Sequence, residues 1–283
     1  MPLITAGGDT ESEAVVGAMR PTPHLARCPY LMQLLSRVGG VWGRIRLMKL
    51  AGHAEVSPHA DLSYYWRDRV RMHVPIVTRP SVRFLCGEAE VNMAAGECWI
   101  FDNWREHQVI NDHEDARIHL VADTVGSVAF WELFNRGRVP NRRPANWQAQ
   151  LVPVDAHAQR DLRLESVNIP IVMTPWELHE HLQFLLGEAR PHPQLAVVGQ
   201  AAARFVTGWR AIWAQFGDDP QGWPAYRAAL DGFAQQMERD AQGLQLVNNA
   251  TFLKALRAIV LSAALRDRMR PDMGERMKEN LPA

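Results

Sequence analysis

The sequence predicts an α+β protein, in which an all-β core is followed by a mainly helical C-terminal half. Between residues 41 and 125, short runs rich in Val, Ile and aromatic residues alternate with Gly, Pro, Asn or Asp, which is typical of strands joined by turns. Several such strands at regular spacing favour a sandwich or a barrel. From about Val125 onward, apolar residues recur instead at the spacing of α-helices.

The first forty residues are a mixed segment, interrupted by Pro21, Pro23 and Pro29, with one short helix predicted from Tyr30 to Val38. Five strands are predicted in the core that follows: 44–50, 70–77, 81–85, 97–101 and 117–122. We therefore expect three parts: an N-terminal segment (1–40), a β core (41–125) and a mainly helical region (126–283) packed on that core.

The helical region begins with a connecting loop over 136–160, which carries a basic, solvated cluster of Arg136, Arg138, Arg142 and Arg143. Thr174-Pro-Trp-Glu177 then predicts a helix start, with Thr as cap, Pro at the first helical position and Glu three residues later. Further helices are predicted over 195–216, 224–242 and 248–269. The aromatic residues of the second helix, which include Trp209 and Trp213, predict a buried helix face.

Composition narrows the range of partners. Lys plus Arg and Asp plus Glu each number 31, so the chain has no electrostatic footprint for nucleic acid or an acidic membrane surface. No apolar run approaches the length of a membrane span, and the N-terminus has no basic region followed by an apolar stretch. The three cysteines, an odd and sparse set, indicate a reducing compartment. We expect a cytoplasmic protein with a small-molecule partner, and a homodimer is a candidate assembly.

Four residues within the β core suggest a metal centre: His59, Asp61, His107 and Arg117. Residues i and i+2 of an extended strand face the same side, which brings His59 and Asp61 together, and His107 would come from a second strand. Two imidazoles and one carboxylate on one face of an iron ion leave positions open for a co-substrate and O₂. This donor set predicts a non-haem Fe(II) oxygenase.

Arg117 opens a run of alternating polar and apolar residues, which predicts a strand with one polar face turned inward. A buried guanidinium binds a carboxylate through two hydrogen bonds, so Arg117 suits the far carboxylate of 2-oxoglutarate as co-substrate. His119 has the same parity as Arg117 and is a candidate to support the site from behind.

Five segments carry a resemblance to a known family: A-G-H-A-E-V-S-P-H-A-D, V-R-M-H-V-P-I-V-T, G-E-C-W-I-F-D, H-Q-V-I-N and R-I-H-L-V-A-D. Through them, residues 43 to 124 resemble the aspartyl/asparaginyl β-hydroxylases, which include bacterial L-proline hydroxylases. The resemblance implies a double-stranded β-helix, or jelly roll, that binds Fe(II) and 2-oxoglutarate. It implies iron ligation by His59, Asp61 and His107. It also implies that Arg117 binds the distal carboxylate of 2-oxoglutarate, with Arg71 and His73 near its carboxylates.

The substrate is less well defined. Some animal members of the family lack the acidic iron ligand, whereas Asp61 makes this chain more similar to the bacterial amino-acid hydroxylases. We expect hydroxylation of an unactivated C–H bond in a free amino acid or an amino-acid-like small molecule. Two alternatives stay open: an aspartyl or asparaginyl residue in a peptide or carrier-bound intermediate, and a jelly-roll binding protein without turnover. The candidate substrate residues are Arg67, Arg83, Trp104 and Arg105, with Arg69 as a further candidate clamp.

Overall fold

The computed structural model describes residues 1–139, 147–158 and 160–266. These residues form two compact units: residues 1–59 with 68–168, and residues 60–67 with 169–266. Antiparallel sheets build the first unit and helices dominate the second, which confirms the predicted α+β class. Of the predicted basic cluster, Arg142 and Arg143 lie outside the described residues, Arg136 is exposed, and Arg138 is partly buried and paired with Glu97 at 3.1 Å.

Within the described residues, the first unit contains eleven strands: β1 (Pro2–Ala6), β2 (Met19–Pro21), β3 (Val41–Leu50), β4 (Ala54–His59), β5 (Val70–Val77), β6 (Val82–Cys86), β7 (Ala89–Val91), β8 (Trp99–Phe101), β9 (His107–Asn111), β10 (Arg117–Gly126) and β11 (Arg163–Leu164). One sheet has the order β2-β1-β3-β10-β5-β8, with β11 parallel to β3, and the other has the order β4-β9-β6-β7.

From β3 to β10 the chain passes back and forth between the two sheets. Strands β3, β5, β8 and β10 lie in the larger sheet, and β4, β6, β7 and β9 lie in the smaller one. Neighbours within each set of four pair antiparallel. This strand order is that of a double-stranded β-helix, so the predicted jelly roll is confirmed.

An apolar cluster occupies the inner faces of the β core. It consists of Val82, Phe84, Met93 and Val109, all nearly inaccessible to solvent, and of partly buried residues from both sheets packed against them. Phe84 on β6 lies directly opposite Val109 on β9, so their side chains share one face of the smaller sheet. This packing supports the ends of β4 and β9, where the candidate metal ligands lie.

The strands differ from the predictions at several bounds; β10, for example, continues to Gly126 rather than ending at residue 122. Strand β3 begins at Val41, three residues before its predicted start, because it pairs along its whole length with β10. In addition, the short strands β1, β2, β7 and β11 had no counterpart in the prediction. They span two to five residues each. Strands β1 and β11 pair with the distant β3, which no local pattern reveals, whereas β7 forms a tight hairpin with β6.

The described helices are α1 (Pro23–Ala26), α2 (Pro29–Val38), α3 (Tyr64–Arg67), α4 (Val128–Asn135), α5 (Pro175–Gly187), α6 (Leu195–Phe216), α7 (Trp223–Asp240) and α8 (Phe252–Leu256). A 3₁₀ turn covers Pro220–Gly222, and a π-helical turn covers Arg257–Leu261. No helix in the described part of the chain is both long enough and apolar enough to cross a membrane.

Local helix signals were reliable. The Thr174 hydroxyl accepts a hydrogen bond from the Glu177 backbone N–H at 3.2 Å, as its predicted capping role requires. Helix α6 has the predicted bounds. The last predicted helix is wrong in extent: α8 ends at Leu256 and passes into the π-helical turn, and residues 267–269 lie outside the described part.

Buried aromatic and aliphatic side chains form the core of the helical unit. Leu178, Leu182 and Leu185 of α5 are buried, and α5 contacts α6, α8 and the π-helical turn. Trp209 is fully buried and its indole N–H donates to the Met173 carbonyl at 2.8 Å. The buried face predicted for α6 is therefore confirmed at Trp209, whereas Trp213 is only partly buried.

Candidate metal centre

The two candidate histidine ligands lie opposite each other on neighbouring strands. His59 is the last residue of β4 and His107 is the first residue of β9, and the two are paired across the antiparallel ladder. A register shift between Val56 and His59 precedes this pair. The ring centroids are 4.3 Å apart at an interplanar angle of 52°. Strand pairing therefore brings together two imidazoles that are 48 positions apart in the sequence.

Backbone carbonyls determine which nitrogen of each ring carries the proton. The Nδ1 atom of His59 lies 2.8 Å from the Ser57 carbonyl oxygen, and that of His107 lies 2.9 Å from the Arg105 carbonyl oxygen. A carbonyl oxygen only accepts, so both Nδ1 atoms carry the proton in the neutral rings. The lone pair of each neutral ring is therefore on Nε2, as a metal ligand held by an outer partner requires.

Asp61 completes the donor set. It follows the end of β4 by two residues and is 9% exposed. One donor atom from each of His59, Asp61 and His107 lies within 4.8 Å of the other two. Among the described residues, these three are the one group of His, Cys, Asp or Glu side chains that converges in this way. Two imidazoles and one carboxylate fit Fe(II), for which this set is typical.

A second group of polar side chains lies buried on β5 and β10, and we call it the arginine–histidine cluster: Arg71, His73, Arg117 and His119. Each of its members is at most 9% exposed. Buried charges and imidazoles are costly unless they have partners, so the contacts of each member show which of them are satisfied by the protein itself.

Arg71 is paired with an acidic residue that sequence reasoning had not assigned to the site. Its Nε donates to Oδ1 of Asp123, which lies opposite it on β10, at 3.0 Å. Burial alone would raise the pKa of Asp123, but the charges of Arg71, Arg44 and Arg46 outweigh it and hold that pKa below its ordinary value. Asp123 and Arg117 are an even number of positions apart on one strand, so the sequence alternation could have placed Asp123 on the same face as Arg117.

Arg117 and His119 contact each other, and both retain unsatisfied atoms. Arg117 Nη2 lies 2.8 Å from His119 Nδ1. Within the described chain, Arg117 Nε, His119 Nε2 and both ring nitrogens of His73 are buried without a hydrogen-bond partner. Burial lowers the pKa of Arg117 to about 10. Burial and the charge of Arg117 together lower the pKa of His73 to well below its ordinary value. Arg117 is therefore charged at neutral pH and His73 is neutral.

A chain of ring contacts links this cluster to the candidate ligands. Phe101 lies 4.9 Å from His107 and 5.2 Å from His73, measured between ring centroids. His73 in turn lies 5.7 Å from His119. A ligand with one end beside His107 and a carboxylate near Arg117 would be bordered by these rings.

We expect acid to destabilise the metal-free protein through His119. Burial, followed by the charge of Arg117, lowers its folded-state pKa to about 3, whereas an unfolded histidine titrates near about 6.5. Between these values the unfolded chain binds more protons at this residue than the folded chain does. The free energy of unfolding therefore decreases as the pH decreases, by at most about 1.4 kcal/mol per pH unit. Urea unfolding should therefore show the stability of the wild type over His119→Gln shrinking as pH falls from about 7.5 to about 5. A difference independent of pH would contradict this.

The four candidate substrate residues have varied environments. Arg83 is partly exposed and paired with Asp112 at 2.8 Å, and Arg105 is exposed and paired with Asp102 at 3.5 Å. Trp104 is half-buried in the turn before His107. The guanidinium of Arg67 lies over the ring of Phe184 at 3.6 Å from its centroid, both within the helical unit.

Sequence reasoning missed that Arg105 serves the site through its carbonyl oxygen, because a backbone acceptor has no residue signature.

Arg69, the further candidate clamp, instead belongs to a buried ion pair. Its Nε and Nη2 donate to the two carboxylate oxygens of Glu165 at 2.8 and 2.9 Å, and both side chains are at most 5% exposed. Arg69→Met should lower the free energy of unfolding by about 3–5 kcal/mol, because it leaves a buried carboxylate unpaired. Arg79→Met, which removes the half-exposed pair with Asp115, should cost about 0–1 kcal/mol. Denaturant unfolding measures both variants. If Arg69→Met lowered the free energy of unfolding no more than Arg79→Met does, the buried pair would not be a major source of stability.

Residues 13–126 match the family model of the aspartyl/asparaginyl β-hydroxylases. This segment contains the three candidate metal ligands and Arg117, and the match confirms the resemblance predicted for residues 43 to 124. It covers less than half of the chain. No curated protein sequence matches the chain.

Solved structures with similar folds are distant. A double-stranded β-helix protein from Klebsiella pneumoniae subsp. pneumoniae MGH 78578 is 13% identical over 30% of this chain and 68% of its own, with a TM-score of 0.25. A cupin 2 conserved barrel protein from Salinispora arenicola CNS-205 is 12% identical over 33% and 71%, with a TM-score of 0.24. A cupin-superfamily sugar phosphate isomerase from Silicibacter pomeroyi DSS-3 is 17% identical over 44% and 71%, with a TM-score of 0.26. The fold assignment above rests on strand order instead.

Proposed function

We propose that this protein is an Fe(II)- and 2-oxoglutarate-dependent dioxygenase that hydroxylates an unactivated C–H bond of a free amino acid or an amino-acid-like small molecule. The observation that carries the proposal is the convergence of His59, Asp61 and His107, with both histidines presenting Nε2. These residues would hold the iron, which when bound supplies the redox chemistry for activating O₂.

The arginine–histidine cluster would bind the co-substrate. Arg117 is the favoured anchor for the distal carboxylate of 2-oxoglutarate, because it is buried and charged and its Nε lacks a protein partner in the described chain. His73, with both ring nitrogens unsatisfied, would donate a further hydrogen bond. Arg71 would act beside them, with one side of its guanidinium held by Asp123.

The neighbouring rings would orient the co-substrate and keep water away. Phe84 and Phe101 pack on each other at 4.7 Å between centroids, and both lie beside His73 and His107. An apolar wall between a metal centre and a buried cation strengthens the electrostatic contacts inside the site and limits side reactions with water. The overall reaction would convert 2-oxoglutarate, O₂ and the substrate to succinate, CO₂ and the hydroxylated product.

Substrate recognition by Arg67, Arg83, Trp104 and Arg105 is also part of the proposal. A free amino acid needs a partner for its carboxylate, and an arginine suits that role. Arg83 and Arg105 would have to exchange their acidic partners for the substrate carboxylate, which is feasible because exposed ion pairs are worth little.

One assay tests the proposal against its alternatives. The full chain is incubated with Fe(II), 2-oxoglutarate, O₂ and a panel of free amino acids and Asp- or Asn-containing peptides, while succinate and the mass of each panel member are followed. We expect succinate together with the gain of one oxygen atom by a free amino acid. A gain confined to peptides would favour the aspartyl or asparaginyl alternative. Binding of panel members without any succinate would identify a binding protein.

A further inference from the structure

His119 has a hydrogen-bonding state that its contact with Arg117 determines. The Nη2 atom of Arg117 and the Nδ1 atom of His119 are 2.8 Å apart. A guanidinium has donors only, so His119 Nδ1 must be the acceptor. The remaining proton of the neutral ring is then on Nε2, and His119 offers a donor on the side of the ring away from Nδ1.

That donor has no partner in the described part of the chain. His119 is 2% exposed, and its Nε2 atom is buried without a hydrogen bond, as is Nε of the adjacent Arg117. A buried donor without an acceptor destabilises a protein, so two on neighbouring side chains indicate that a bound acceptor normally satisfies them.

The charges define the acceptor. Arg71 is balanced by Asp123, and His73 and His119 are neutral. Arg117 is thus the unbalanced charge of the arginine–histidine cluster. One carboxylate would neutralise it, and two oxygens with several lone pairs would accept from both Arg117 and His119.

We propose that His119 is a co-substrate-binding residue, in which Nδ1 orients the Arg117 guanidinium and Nε2–H donates to the same carboxylate that Arg117 binds. The inference rests on the proposed function, since the carboxylate is the distal one of 2-oxoglutarate. His119 would then help to select keto acids with a second carboxylate over shorter ones.

Three substitutions separate the two contacts of His119. In His119→Asn the amide oxygen can replace the Nδ1 acceptor, and in His119→Gln the amide nitrogen can replace the Nε2 donor, whereas His119→Leu removes both. Calorimetry with the full chain and Mn(II), a hard ion that suits the same ligands, gives the affinity for 2-oxoglutarate and for 2-oxobutyrate, which lacks the distal carboxylate. We expect His119→Leu to weaken 2-oxoglutarate binding roughly 10- to 100-fold, and the amide variants to lose less.

The preference for 2-oxoglutarate over 2-oxobutyrate is the decisive measurement. We expect it to shrink in His119→Leu, to recover in part with Asn or Gln, and to be unchanged in His157→Leu, which alters an exposed histidine. Equal weakening of both keto acids, or no change in any His119 variant, would overturn the inference while leaving the proposed function in place. A wild type that binds the two keto acids alike would instead overturn the co-substrate assignment itself. If His119→Leu does not fold, the Asn and Gln variants carry the same comparison.

Discussion

The His107→Ala variant is expected to lose hydroxylation and tight metal binding while it remains folded. The substitution removes the Nε2 atom that would ligate the metal, on a ring whose Nδ1 lies 2.9 Å from the Arg105 carbonyl oxygen. Changing an outer partner of a ligand typically costs 10- to 100-fold, so loss of the ligand itself should reduce turnover by more than about 100-fold. The ring also packs on Phe101 and Phe84, so we expect a loss of roughly 1–3 kcal/mol in the free energy of unfolding.

Metal binding, turnover and thermal unfolding should be measured together. His113→Ala is the matched control, because His113 lies in the turn between β9 and β10 with 39% of its side chain exposed. It should bind metal and turn over like the wild type. Should His107→Ala bind Mn(II) with wild-type affinity, the assignment of His107 as a ligand would be wrong.

The candidate site could be predicted where local periodicity determines which way a side chain points. The alternation of Arg117, His119 and Asp123 placed all three on one face of a strand, and all three are buried on β10. For His59 and Asp61 the same reasoning was wrong in one respect. Strand β4 ends at His59, so Asp61 joins the donor set from the segment beyond the strand rather than from its ladder.

Long-range pairing could not be predicted. The sequence did not distinguish Arg67, Arg69, Arg83 and Arg105 as carboxylate partners, yet Arg69 is paired with Glu165 across 96 positions. Arg71, which the resemblance assigned to the co-substrate, is paired with Asp123 across 52 positions. Which arginine has an acidic neighbour depends on strand register and on where distant segments of the chain pack against the sheet. Neither has a local signal in the sequence. The tautomers of His59 and His107 could not be predicted from the sequence either, because the backbone carbonyls of Ser57 and Arg105 determine them.

Helix prediction depended on recognising caps. Thr174 was identified from its T-P-W-E pattern, whereas α4 was missed although Ser127 accepts a hydrogen bond from the Phe130 N–H at 3.1 Å. The V-A-F-W-E-L-F-N segment is apolar nearly all round, so periodicity does not separate a helix from a strand there. The serine cap was the available signal.

The Arg117→Ala variant is expected to lose most of its affinity for 2-oxoglutarate. Truncating one partner of a buried, hydrogen-bonded charge pair costs roughly 2–5 kcal/mol, which corresponds to a loss of about thirtyfold to several thousandfold. The effect should be confined to ligands with a distal carboxylate, so binding of 2-oxobutyrate should change little. Calorimetry with Mn(II) measures both affinities, and a parallel metal titration checks that His59, Asp61 and His107 still bind the ion.

Arg117→Lys and Arg105→Ala complete the comparison. Lysine keeps the charge but donates from one point and does not bind a carboxylate through two parallel hydrogen bonds, so it should recover only part of the affinity. Arg105 is exposed and paired with Asp102, so removal of its side chain should leave 2-oxoglutarate binding unchanged, even if the binding of the substrate becomes weaker. Unchanged affinity in both Arg117 variants would transfer the anchor to Arg71. That outcome would require Arg71 to bind the co-substrate while it neutralises Asp123, and Arg71→Lys would then be the variant that loses the co-substrate.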